Sequence, residues 1–520
     1  MNKLVSHDMV SGEIVARQDD FGELRSLLDA PGSASWDKIC ALLGDWSDRA
    51  HLRDVVTPYC ESKLRSWPDH VRRCPASELT KQITHPGRAP SAIATLSRGI
   101  TIWAGTSSAA RLIDAANAEC FRSITSIEVI GRSNKLDRSN WRELLDTVLF
   151  TDLRALRIFD VRLDQFGLDE LLDARVCEQL ESLHLERCRL NRAGFEALCS
   201  ASVPSLRTLD LRDNNLRVEH FRALSSARGL ASSRRLYLGA RPTDPVRADN
   251  HKFFNRAERA GLEALVGGEL NQIEALELTY HQLDQERLDV LLADGALPNI
   301  EALDLGQNYL GKSIPTLCAS GLWKRLGWLD LSNNQLGAKM TAALLEESSN
   351  LRGLAINTNK IGRKGAKSLL TSECSRHVEH LQVLDNNLKP ADLIGLLNSE
   401  HLERLRTLNV GLNNLEQSSI LDMLDTRGFS GLDRIDLRNV SLNDIGLIQA
   451  IAEHSACVTM PVIRVSRISA KASSELERVG LANRFEGAGH ITHYSEAPGR
   501  IFHSDTLGYL EHVGAVEFWS

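Results

Sequence analysis

The sequence has 520 residues, 42% apolar and 25% charged, with a formal net charge of −7. An acidic balance without a broad basic face argues against nucleic acid as partner, and no run approaches the 18 uncharged apolar residues that a membrane span needs. Aromatics make up only 5%, so the core is expected to be built from leucine, isoleucine and alanine.

The chain opens on "MNKLVSHDMVSGEIVARQDD", which has no apolar stretch of the kind a secretory signal carries. Ten cysteines are scattered along the sequence with no C-x-x-C pair. Both features lead to the expectation of a cytoplasmic protein with reduced thiols. Next come "EIVARQDDFGELRSLLDA", "SWDKICALLGDW" and "HLRDVVTPYCESKLRSW", each apolar at helical spacing. Residues 1–95 are therefore expected to form a small helical module, well placed to cap the remainder of the chain.

From about residue 96 to 470 one template recurs: L-x-x-L-x-L-x-x-N-x-L. Clear copies are "LRTLDLRDNNL" (206–216), "IEALDLGQNYL" (300–310), "LGWLDLSNNQL" (326–336), "LRGLAINTNKI" (351–361), "VEHLQVLDNNL" (378–388) and "LRTLNVGLNNL" (405–415). Weaker or degenerate copies start at 97, 124, 153, 180, 233, 273, 432 and 460, and the steps are 25 to 29 residues except one of 40. Alternating apolar residues describe a strand with one buried face. The ninth-position side chain of Cys188, Asn214, Asn308, Asn334, Asn359, Asn386 and Asn413 can hold the turn that leaves the strand, because an amide both donates and accepts. Val161, His281, Val440 and Ile468 stand there in other units, which must satisfy their turns differently. Segments such as "GAKMTAALLEES" and "GRKGAKSLLTSE" complete each unit as a helix.

This pattern resembles the leucine-rich repeat family, and the strand-plus-helix unit resembles its ribonuclease-inhibitor-like class. The resemblance implies an α/β solenoid, a horseshoe of about 14 strand-helix units with a parallel sheet on its concave side. No unit can bury its apolar face alone, so stacking must supply one continuous core. The 40-residue step holds an insertion at about 239–262, "GARPTDPVRADNHKFFNRAERAGL", expected as a loop on one face. Residues 471–520 are expected to cap the last repeat.

Few residues suggest chemistry. His490, His493, His503 and His512 lie close together but lack the carboxylate or cysteine companions of a zinc site; no metal, cofactor or catalytic residue is expected. Cys177, Cys188 and Cys199 read as core thiols. "GQNYLGKS" (306–313) fits the P-loop pattern G-x-x-x-x-G-K-[ST]. It falls in phase with the repeat, however, with Asn308 the ladder residue, Leu310 a core leucine and Ser313 a helix cap beside Pro315.

What remains is the strand face turned away from the helices, carrying template positions 3, 5 and 7. Position 5 is acidic in the middle of the chain, with Asp210, Glu277, Asp304 and Asp330, and Trp328 stands at position 3 between the last two. Tryptophan is enriched at binding hot spots, and an acidic surface favours a basic partner. The expected contact residues are Trp328, Asp304, Asp330, Glu277, Tyr280, Asp210, His380 and Gln382. The expected function is a non-enzymatic protein-interaction scaffold that takes a protein or peptide, a basic one, on the concave face. Regulation of a GTPase or another enzyme by contact is the alternative that the resemblance permits, and nucleotide hydrolysis through residues 306–313 ranks below both.

Overall fold

The structure is a computed structural model and describes residues 20–29, 31–85, 89–103, 123–131, 152–163, 165–173, 175–240, 254–347 and 349–487. The C-terminal histidines and residues 241–253 of the insertion lie outside the described residues. Two compact units are present, residues 1–210 and 211–520.

The first unit begins with helices Ser33–Asp45, Thr57–Leu64, Ala76–Thr84 and Ala92–Leu96. Trp36, Ile39, Leu43, Val56, Leu64 and Trp67 meet in a common core, as the helical spacing of these apolar residues requires. The module is stitched to the adjoining strands. Arg73 bridges Gly99 in parallel, and the Trp36 indole N–H donates to the Arg73 carbonyl at 2.7 Å. Strands β1 (Gly99–Trp103), β2 (Ser126–Ile130), β3 (Ala155–Phe159), β4 (Ser182–Glu186) and β5 (Thr208–Asp210) then pair in chain order, all parallel and in register.

The second unit repeats one motif. Strands β6 (Arg235–Tyr237), β7 (Ala275–Glu277), β8 (Ala302–Asp304), β9 (Trp328–Asp330), β10 (Gly353–Ala355), β11 (His380–Gln382), β12 (Thr407–Asn409), β13 (Arg434–Leu442), β14 (Val462–Ile468) and β15 (Phe485–Gly487) are parallel neighbours in sequence order. The last of them adds a strand beyond residue 470, inside the segment expected to be a cap. Helices such as Gly337–Glu346 and Gly362–Thr371 run between strands and bury Leu344, Leu345 and Leu369 against template leucines such as Leu326, Leu329, Leu331 and Leu336, all buried. The architecture is an α/β solenoid of strand-helix units. Among the described residues no helix is long and apolar enough to cross a membrane.

The ninth-position ladder is made as the sequence implies. Asn386 Oδ1 accepts from the N–H groups of Asn359 at 2.9 Å and Ile361 at 3.3 Å, while its Nδ2 donates to the carbonyls of Ile356 at 2.9 Å and Leu384 at 3.1 Å. Asn359 and Asn413 repeat the pattern. Cys188 in the same place donates its thiol to the Ile158 carbonyl at 3.3 Å. The residues flanking the ladder position turn left-handed, as at Asn333 (φ 52°) and Gln335 (φ 59°).

Two rungs were not legible in the sequence. Asn255, at the far end of the insertion, accepts from the N–H groups of Asn214 at 3.1 Å and Leu216 at 2.8 Å and donates to the Leu211 carbonyl at 2.9 Å. It thereby takes the ladder place of the repeat that starts at 233, so the insertion interrupts a turn without removing its rung. His281 supplies the next. A carbonyl only accepts, so Nε2–H donates to Leu238 O at 3.0 Å, which leaves Nδ1 to accept from the Ala257 N–H at 2.7 Å. The ring must therefore be neutral. Burial pushes its pKa down to about 4, with Arg287 adding to the fall and the Leu238 bond opposing it.

That depression has a stability consequence. The unfolded imidazole takes up its proton near pH 6.5 and the folded one only near 4. The stabilisation is complete above pH 6.5 and declines as pH falls through the window between those values. At about 1.4 kcal/mol per unit, urea melts at pH 7.5 and 4.5 should differ by roughly 2 to 3 kcal/mol from this residue. His281→Asn should remove that share of the slope.

Ser313 corrects one expectation. It occupies the cap position of helix Ile314–Ala319, with Pro315 in the first turn, but its hydroxyl makes no capping bond. The side chain is buried at the end of a 3-10 turn, Leu310–Ser313, that the repeat template does not announce.

Candidate functional site

The strand face of the second unit carries a groove of about 500 Å³, counting the space that opens to solvent, floored by Ala275, Ala302, Gly353 and Ala355 and walled by Tyr237, Glu277, Asp304, Trp328, Asp330, His380 and Gln382. The floor exists because positions 3 or 5 of three strands, β7, β8 and β10, hold alanine or glycine, where neighbouring strands lie only about 4.8 Å apart. Six of the eight expected contact residues therefore line one site.

The other two do not. Asp210 ends the first unit, where it bonds His184. Tyr280 sits in the turn after β7 with φ 62° and packs its ring against Phe254 at 5.3 Å.

The face is more tightly packed than alternation alone suggests. Positions 3 and 5 were expected to point outward, yet Trp328 is only 6% exposed, Asp330 5% and Glu277 2%. Trp328 lies across Gly353 of the next strand, where a Cβ would fall inside the indole. It stacks on His380 of the strand beyond, with ring centroids 5.1 Å apart and planes 25° apart. His380 Nδ1 in turn meets Thr407 Oγ1 at 2.8 Å, and burial lowers its pKa.

The acidic row also has local work. Asp304 Oδ1 accepts from the Gly306 N–H at 2.9 Å, and Asp330 Oδ1 accepts from the Ser332 N–H at 2.7 Å. Asn409 and Asp436 bond the N–H two residues on in the same way. Glu277 accepts from the Gly239 N–H at 3.0 Å and the Thr279 N–H at 3.2 Å. Burial raises its pKa, offset by Arg212 and reinforced by Asp304. The carboxylates thus hold the ends of the strands while lining the groove. The signal the sequence offered was an acid or amide recurring two residues before the turn.

The P-loop-like string has no cradle to offer. The N–H groups of Gly306, Gln307, Tyr309 and Leu310 are taken by Asp304 Oδ1, Ser332 O, Leu283 O and Asn334 Oδ1. A phosphate site needs such donors directed at the ligand. Leu310 is fully buried, and a Cβ at Gly311 would meet the Gln335 carbonyl at 2.7 Å.

In the first unit the same face is charged rather than apolar. Arg73 Nη1 lies 2.8 Å from Glu128, Arg157 lies 3.3 Å from Glu128 and 2.9 Å from Glu186, and His184 Nδ1 lies 3.1 Å from Asp210. His184, Glu186 and Asp210 each offer one ligand atom within 4.8 Å of the others, a grouping no linear motif announces because it spans two repeats.

The family model described as Leucine Rich Repeat matches residues 205–227. No curated protein sequence matches the chain. Among solved structures, an internalin (inlF) from Listeria monocytogenes is similar at 15% identity, with 68% of this chain and 88% of that chain covered and a TM-score of 0.32. With a unit of 25 to 29 residues recurring as strand, asparagine turn and helix, and the family match inside that array, the array has the architecture of a leucine-rich repeat solenoid.

Proposed function

We propose that the protein is an interaction scaffold of the ribonuclease-inhibitor-like kind, and that the groove between Tyr237 and Gln382 receives an extended peptide segment of a protein partner. Repeat proteins generally use such strand faces for binding. One observation carries the reading: a small-residue floor, made by Ala275, Ala302, Gly353 and Ala355, lies beside three carboxylates and a tryptophan on the same groove. That chemistry suits a Lys or Arg adjacent to a small apolar side chain, the charge meeting Glu277, Asp304 and Asp330 and the apolar group seated on the floor. The thiol form that Cys188 needs in order to donate supports action in a reducing compartment such as the cytoplasm.

Selection of a random peptide library on the whole chain tests this. Enriched peptides should pair a basic residue with a small apolar one. Ala302→Leu, which fills the floor, should weaken them about tenfold or more, equivalent to about 1.4 kcal/mol. Asp304→Asn with Asp330→Asn keeps both Oδ1 acceptors while removing charge, and should weaken binding most at low salt. Peptides retained equally by Ala302→Leu, or enrichment of acidic peptides, would overturn the assignment.

A further inference from the structure

We propose that Ser182, His184 and Asp210 form a nucleophile, base and orienting acid that lets the first unit accept an acyl group from an ester. The site is independent of the peptide groove.

The arrangement comes from strand geometry. Ser182 and His184 are two residues apart on β4, so their side chains share one face. Asp210 is the register partner of His184 on β5. Ser182 Oγ lies 2.8 Å from His184 Nε2, and His184 Nδ1 lies 3.1 Å from Asp210 Oδ2. In the neutral imidazole the carboxylate sets the direction of both bonds. A carboxylate oxygen only accepts, so the ring proton sits on Nδ1. Nε2 then presents its lone pair to Ser182, and the hydroxyl proton must point at the ring. This is the bond order by which a serine is activated, with the base held in the correct tautomer by a buried acid.

Exposure fits the three roles. The Asp210 side chain is fully buried, while that of His184 is 25% exposed. Ser182 is half-buried, with Ala155 opposite it on β3, so an acyl carbon can approach beside a methyl group rather than a bulky neighbour. Arg157 lies opposite His184 on β3, its charge met by Glu128 and Glu186.

In the reaction, Ser182 Oγ bonds to the ester carbonyl carbon as its proton passes to His184 Nε2. The tetrahedral adduct collapses, the carbon–oxygen bond to the alcohol breaks, and Nε2–H protonates the departing alkoxide. Water then attacks the acyl-serine with the same base, releasing a carboxylic acid and restoring the hydroxyl. The substrate class is an ester with a small acyl group.

A metal at His184, Glu186 and Asp210 is the competing use of these residues. It would have to displace the ring from Ser182 or Asp210 and take Glu186 from Arg157. The nucleophile reading keeps every one of those contacts.

The test treats the full chain with a fluorophosphonate probe and maps the adduct by mass spectrometry. Selective modification of Ser182 over the other serines is expected and requires no variant. Ser182→Ala should abolish that adduct. His184→Gln and Asp210→Asn, checked for folding by circular dichroism, should slow labelling about 100-fold or more. Absence of an adduct on Ser182, or labelling at an unchanged rate in folded His184→Gln, would overturn the proposal. Labelling that requires added Zn²⁺ and is lost with EDTA would also overturn it, in favour of the metal.

Discussion

Replacing Asn386 by leucine should destabilise the second unit by about 3 to 6 kcal/mol, the largest effect expected of a single substitution here. The leucine fills a similar volume but leaves the N–H groups of Asn359 and Ile361 and the carbonyls of Ile356 and Leu384 without the bonds Asn386 makes to them. A buried polar group deprived of its partner costs about 1 to 3 kcal/mol, and the fully buried Asn386 lies away from bulk solvent. The site sits between repeats on both sides, so the loss falls on an interface as well as on one turn. Asn386→Cys should cost less, because a thiol can donate as Cys188 does to Ile158. Thermal or urea melts of both variants check this ordering. A leucine variant within about 1 kcal/mol of the parent would show that the backbone finds other partners.

The second large effect is at Trp328 and Gly353. Trp328→Ala removes a buried indole from between Gly353 and His380, and aromatic-to-alanine changes in such places cost about 3 to 5 kcal/mol. Gly353→Val is expected to be harmful for the opposite reason, since its side chain would occupy the space of the indole, and overpacking costs about 1 to 3 kcal/mol. The two changes are complementary. With the indole gone, valine has room, so the double variant should be less destabilised than the sum, by a coupling of about 1 kcal/mol or more. Additive losses would mean that the pair does not compete for one space. The consequence for binding studies is direct: a weakened partner in Trp328→Ala reports stability and contact together. Ala302→Leu and the paired Asp304→Asn, Asp330→Asn change are the cleaner probes of the groove.

The array of repeats was readable from residues alone because its physics is local. Each leucine at positions 1, 4, 6 and 11 faces the core for a reason contained in its own unit, and Asn308, Asn334, Asn359, Asn386 and Asn413 each donate to a carbonyl two residues back in their own turn, although others of their bonds reach the preceding repeat. The helical character of "GAKMTAALLEES" and the in-phase reading of "GQNYLGKS" rest on the same short-range logic. The sequence by itself thus determined the strand-helix solenoid, its register, and which face carries the variable residues.

Everything decided between repeats needed the tertiary structure. Stacking brought Asn255 from the end of an insertion to a rung the template had left open, and turned His281 into a neutral amide substitute. It laid Trp328 across Gly353 onto His380, two strands away. It set Asp210 against His184, which in turn meets Ser182. The periodic pattern states which side of a strand a residue occupies, but strands about 4.8 Å apart let a large side chain reach over a small one. Whether Trp328 faces solvent or a neighbour therefore depends on the glycine at position 353, about a repeat away in sequence and adjacent in space.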